Sequence, residues 1–193
     1  MHLATTPEAN ALLEADPFAL LVGMLLDQQI PMEKAFTSPQ VLHERLGLRA
    51  GTVLDVRLVA EYDVAGLEEI FRRPPALHRF PAAMAKRVQA LALVLVEEYG
   101  ADAAAVWAGA RSGVELVARI AALPGFGTQK AKIFTALLGK QFAVRPTGWR
   151  AACGDYGVEG SQRSVADVVD PASLLAVRSF KRQMKAAAGA ATQ

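Results

Sequence analysis

Cysteine is almost missing from this chain: of 193 residues only Cys153 carries a thiol. A single thiol excludes an internal disulfide and any four-cysteine zinc or iron–sulfur centre, and it suits a reducing compartment. Histidine is nearly as scarce, and His2, His43 and His78 show no ligand spacing, so no metal site is predicted. Long apolar runs are lacking too. FALLVGMLL at 18–26 and LALVLV at 91–96 fall well short of the roughly 20 residues a membrane helix needs. The opening MHLATTPEANALLEADP has no basic start ahead of an apolar stretch, so no secretory signal is read there, and a cytoplasmic monomer is expected. What the chain has in quantity is apolar side chains, 52% of the total, enough for a sizeable core in one domain spanning 1–193.

Strand-like alternation is scarce and helical periodicity runs throughout, which predicts an all-α fold. Asp16-Pro17 reads as an N-cap followed by Pro at the first helical position, opening a helix through FALLVGMLLDQQ that Pro31 stops. A second helix is expected from Met32 to Leu46, and Asp63 should cap VAGLEEIFRR ahead of Pro74-Pro75. Pro81 begins a long helix whose Val88, Leu91, Leu95 and Val96 share one face before Gly100 ends it. Ala103–Trp107, Ser112–Ala122 and Thr128–Leu138 follow, then an irregular stretch 141–161 and a final helix at about 171–188 with an Ala-rich, fraying tail.

The net charge of +2 conceals an asymmetry. Residues 1–120 hold 11 Lys/Arg against 15 Asp/Glu, a net of −4, whereas 121–193 hold 10 against 4, a net of +6. That basic excess begins at LPGFGTQKAKIF, residues 123–134, a Pro-Gly-x-Gly turn between two helical patterns. Such a turn also serves as a plain corner between helices. Here Gly125 and Gly127 would let another backbone approach, and the unpaired amides at the start of the next helix would suit one phosphate, with Lys130 and Lys132 adding charge. Carbonyls on the other side of the turn would suit a monovalent cation bridging to that phosphate.

LPGFGTQKA resembles the hairpin of the helix-hairpin-helix Gly/Pro-Asp DNA glycosylases, the superfamily of endonuclease III and the bacterial alkyladenine glycosylases. About 95 residues upstream, DPFALLVGMLLDQQIPMEKAF resembles that family's early helix ending in Gln-Gln or Ala-Gln. The resemblance covers roughly residues 16–145 and implies a two-lobed helical protein that binds double-stranded DNA. It also implies a hairpin in which Leu123, Gly125, Phe126, Gly127, Lys130 and Lys132 hold the DNA backbone. A damaged nucleotide would be flipped into a cleft and its N-glycosidic bond hydrolysed in base-excision repair. Gln28 and Gln29 match the wedge that fills the vacated space.

The sequence departs from the family at two points. After Val144, where the family places its catalytic carboxylate, stands Arg145, which can neither stabilise a cationic sugar nor accept a proton. Asp27 and Asp155 are the candidate replacements, with Asp167 and Asp170 read as helix caps. Where strand-cleaving members carry a Schiff-base lysine stands Gln129, with Lys130 one residue on and about 100° around the helix, so a monofunctional enzyme without lyase activity is expected. Two other readings stay open at this point: a DNA lesion-binding protein without catalysis, and a helical protein-interaction scaffold. Trp149 and Tyr156 are read as core aromatics, and Arg178, Lys181, Arg182 and Lys185 as a basic face of the last helix, solvated or in contact with DNA.

Overall fold

The computed structural model describes residues 1–190, with the side chains of 185 and 188–190 left aside; the end of the Ala-rich tail and the Lys185 side chain lie outside what is described. Ten α-helices form among the described residues, and no strand; one isolated bridge joins Ser112 and Thr147. The all-α expectation is met.

Helix α1, Pro7–Ala15, starts under a Thr6 cap whose side chain accepts from the Ala9 amide at 3.2 Å. Asp16 ends it and starts α2, Pro17–Leu26. The Asp16 carboxylate accepts from Phe18 and Ala19 at 2.8 and 3.2 Å, as the Asp-Pro pair predicts. Its second oxygen takes the Leu54 amide at 2.6 Å, so this one buried side chain also pins the distant 53–55 loop. Every residue of α2 from Phe18 to Leu26 is buried. A helix apolar on all sides belongs at the centre of a fold, and here α1 and α3, Met32–Arg45, pack around it.

Helices α4, Val56–Glu61, and α5, Val64–Arg72, lie against α6, Pro81–Tyr99, which Gly100 ends. After a 3₁₀ turn at Ala103–Val106 come α7, Gly113–Ala121, and α8, Thr128–Gln141; α9, Trp149–Cys153, packs on both. Two further 3₁₀ turns, Gly154–Gly157 and Val165–Asp167, lead to α10, Pro171–Ala190. One continuous cluster of buried apolar side chains runs from Leu3 to Val177.

Three helices depart from the sequence expectations. Helix α1 is absent from those expectations: it has a cap-and-Pro start at Thr6-Pro7, but Leu12 and Leu13 give its nine residues little periodicity. Helices α4 and α9 have six and five residues, too short for a 3.6-residue pattern to appear, and α9 falls inside the stretch expected to be irregular. Asp167 and Asp170 do act as caps: Asp167 closes a capping box with Ser164, and Asp170 accepts from the Ser173 amide at 2.7 Å.

Candidate nucleic-acid-binding cleft

The turn between α7 and α8 is anchored from beneath. Leu123 and Phe126 bury their side chains, and the Phe126 ring meets Phe134 edge-on at 6.0 Å. These two residues, expected among the phosphate-binding set, hold the turn through the core and offer a ligand only their backbone. Gly125 has φ +81°, and a Cβ there would stand 3.1 Å from Leu25 at the end of α2. This glycine is needed by the fold itself. Gly127 is different: its φ of −120° suits any residue, and nothing lies within 4 Å of where its Cβ would be. Neither side chain nor backbone caps the amides of Gly125, Gly127, Thr128, Gln129 and Lys130 among the described residues. With no acidic residue in its own first turn, this exposed end of α8 carries positive potential, and the carboxylate that shares its cavity is Asp27.

Across from the hairpin, α2 stops at Leu26 with Asp27 as its C-cap, so Gln28 and Gln29, expected within the helix, stand in the turn that follows it. The Gln28 side chain donates to Leu25 O at 2.8 Å and accepts from Arg87 Nη1 at 3.2 Å. Its carbonyl meets His78 Nε2 at 2.8 Å. The Phe80 amide donates to His78 Nδ1 at 3.1 Å, so Nδ1 is bare and the proton sits on Nε2, pointing at Gln28. Burial, together with the charges of Lys34, Arg79 and Lys130, pulls the His78 pKa below its ordinary value and keeps the ring neutral. Gln29 stands exposed with φ +56°, a left-handed conformation that few non-glycine residues take.

Asp27, Gln28, Gln29, Gly127, Thr128, Gln129, Lys130 and Lys181 line one cavity of about 670 Å³. Asp27, Gln129, Ile133 and Lys181 continue into a second, of about 480 Å³, that also holds Lys132, Asp155, Tyr156 and Phe180. Both candidate carboxylates therefore face one continuous cleft, in different states. Asp155 is 72% exposed and paired with Arg163 at 3.1 Å. Asp27 has no hydrogen bond or ion pair among the described residues. Burial pushes its carboxyl above the usual aspartate range, and Lys181 and Lys130 offset only part of that.

Lys130 does not stand out towards solvent as a phosphate contact. Its Nζ donates to Leu25 O at 2.8 Å and lies 5.8 Å from the Phe126 ring centroid. Desolvation lowers its pKa to about 8, against the opposing charge of Asp27. The extra 100° of helix turn that separates it from Gln129 turns it towards Leu25, while Gln129 lines both cavities from an exposed position and donates to the Tyr156 hydroxyl at 2.9 Å. Lys132 lines the second cavity instead of flanking the hairpin amides. Arg145 lines neither cavity; its Nε donates to Gly139 O at 2.8 Å near the end of α8.

No protein-family model, curated protein or solved structure matches the chain. The chemistry of the cleft rests on its own geometry. Sequence reasoning missed Arg163, Phe180 and Met184 as cleft residues; Phe180 and Met184 come from α10, whose basic residues alone had drawn notice. Arg178, grouped with that basic face, is ion-paired to Glu33 of α3. Tyr156 and the buried Cys153 both line the cleft, whereas Trp149 is buried away from it, and burial lifts the Cys153 thiol to about 11, leaving it protonated. Among the described residues no group of His, Cys, Asp or Glu is placed to hold a metal ion.

Proposed function

We propose that this chain is a monofunctional DNA glycosylase of the helix-hairpin-helix type, with its helices in the two-lobed arrangement of that superfamily and the cleft between the lobes. The α7–α8 turn takes a phosphate of duplex DNA on its free amides, and its carbonyl side suits a monovalent cation. Gln28 and Gln29 enter the stack as a damaged base turns out into the cleft beside Tyr156 and Phe180. The observation that carries the reading is Asp27: a half-buried carboxylate with no hydrogen bond or ion pair among the described residues, between the glutamine turn and the hairpin. As the N-glycosidic bond lengthens, the electron pair departs with the base and positive charge grows on the sugar. Asp27 stabilises that charge and takes a proton from the water whose oxygen bonds to C1′. Lys130 and Lys181 favour the ionised form of Asp27 and offset part of its desolvation.

Duplexes carrying alkylated, oxidised or deaminated bases, incubated with purified protein and heated in alkali, report base release. Release is expected from at least one lesion class and its loss in Asp27→Asn; no release from any of them would refute the enzymatic reading. Borohydride in the same reaction is expected to trap no covalent adduct, and a trapped adduct would overturn the monofunctional assignment. A second reading, lesion binding without excision, is favoured by Arg145 at the expected carboxylate position and by the pairing of Asp155 with Arg163. Lesion-selective binding without release would establish it.

A further inference from the structure

The sequence places its basic excess after residue 120, yet three cations from the net-acidic part of the chain gather at the glutamine turn. Lys34 on α3, Arg79 ahead of α6 and Arg87 on α6 are all exposed. Arg87 touches the Gln28 side chain, and Arg79 follows His78, which holds the Gln28 backbone carbonyl. The Ser38 hydroxyl bonds both Lys34 O and Leu77 O, so Lys34 lines a groove with Pro75, Ala76 and Leu77 just ahead of His78. None of the three has a carboxylate within 4 Å among the described residues. This is not for want of acids nearby in sequence. Lys86, next to Arg87 but on another face of α6, pairs with Glu68 at 3.2 Å, and Arg72 shares that glutamate at 3.7 Å.

The Arg79 guanidinium lies 4.8 Å over the Phe80 ring, which is 42% exposed, and this stacking fixes a planar donor at the surface. Arg87 uses one of its five N–H donors on Gln28 and keeps the rest free. Helix α6 starts immediately behind them with no side-chain cap, which adds its positive end to the same patch. Like charges held together without counter-charges destabilise a free protein, and a polyanion removes that penalty.

We infer that Lys34, Arg79 and Arg87 are a second phosphate-binding surface, built by α3 and α6 beside the glutamine turn, that grips duplex DNA independently of the hairpin. This rests on the DNA reading proposed above. Each phosphate contact lowers the slope of log affinity against log salt by about 0.9.

The test measures binding of an undamaged duplex across a salt series for three proteins: wild type, Lys34→Gln/Arg79→Gln/Arg87→Gln, and a charge-matched control, Arg72→Gln/Lys86→Gln/Arg119→Gln, which removes three paired cations. The first triple variant is expected to flatten the slope by about 2–3 while the control leaves it near wild type. Its melting temperature without DNA is expected to equal or exceed that of wild type. Equal slopes in the two triple variants would overturn the inference and leave the hairpin reading intact. Wild-type protein with no salt-dependent DNA binding would instead remove the DNA reading, and this surface with it.

Discussion

Two aspartates in this molecule, Asp167 with Lys140 and Asp27 in a cleft that Lys130 also lines, are held in opposite ways. Around Asp167 everything is satisfied. Lys140 Nζ donates to Asp167 at 2.5 Å, to Ser161 Oγ at 3.1 Å and to Val158 O at 2.9 Å, so all three ammonium protons are used. The carboxylate also accepts from the Ser161 hydroxyl and from the amides of Arg163 and Ser164. Around Asp27, among the described residues, the carboxylate has no donor from the protein and Lys130 has one acceptor, a backbone carbonyl. The first locks the 158–168 segment onto α8. The second holds charge in a cleft, desolvated and open to whatever enters. Asp167 is saturated by hydrogen bonds from the protein, whereas Asp27 turns its carboxylate to the cleft.

The sharpest way to break this contrast is to neutralise each aspartate in turn. Asp27→Asn should lower base release by about 100-fold or more. It should also raise the melting temperature at pH 7. The folded-state pKa of Asp27 lies above its unfolded value, so the ionised form is penalised at every pH above the folded pKa, and the amide removes that penalty. Asp167→Asn should do the reverse, destabilising the fold by about 3–5 kcal/mol because Lys140 is left buried without its partner. Thermal melts and base-release assays on both variants decide the matter; a destabilised Asp27→Asn would mean that the two aspartates are alike.

The hairpin glycines sharpen it further. Gly125→Ala should destabilise by about 1–2 kcal/mol, since alanine strains at φ +81° and meets Leu25. Gly127→Ala should leave stability unchanged and weaken duplex binding, because its methyl occupies only the space a phosphate needs. Denaturant titration and DNA titration of both variants separate the two roles. The smallest effect concerns Lys130. Its folded-state pKa of about 8 lies below the unfolded 10.5, so its contribution makes the protein more stable as pH climbs from about 8 towards 10.5. Melting temperatures over that interval should rise more in wild type than in Lys130→Gln.

Much of the fold was legible because local chemistry declares it. Asp16-Pro17, Asp63, Pro81, Ser112 and Pro171 begin helices where cap and proline rules place them, and Gly100 ends one. The hairpin was legible for the same reason, although two glycines that look equivalent in sequence serve different ends. The cleft was less so. Asp27 was readable as a candidate from its place at a helix end, but its lack of partners was not, since that depends on the far-off helices α8 and α10. Lys130 reaches a carbonyl 105 residues away, a contact no local pattern encodes. The patch of Lys34, Arg79 and Arg87 was hidden by summing charge along the chain, which counts Glu68 against cations it never meets.

Under the proposed DNA reading, Gln29 carries a consequence for the search along the duplex. Its left-handed backbone, braced next door by His78 and Arg87 on Gln28, is set before any ligand arrives. A probe of this kind tests each step of a duplex by pressing on it and does not reshape itself around what it finds. Undamaged, well-stacked steps resist and are passed over quickly, whereas a weakened step gives way. Discrimination would then arise from the mechanical compliance of the DNA, before any base reaches the cleft.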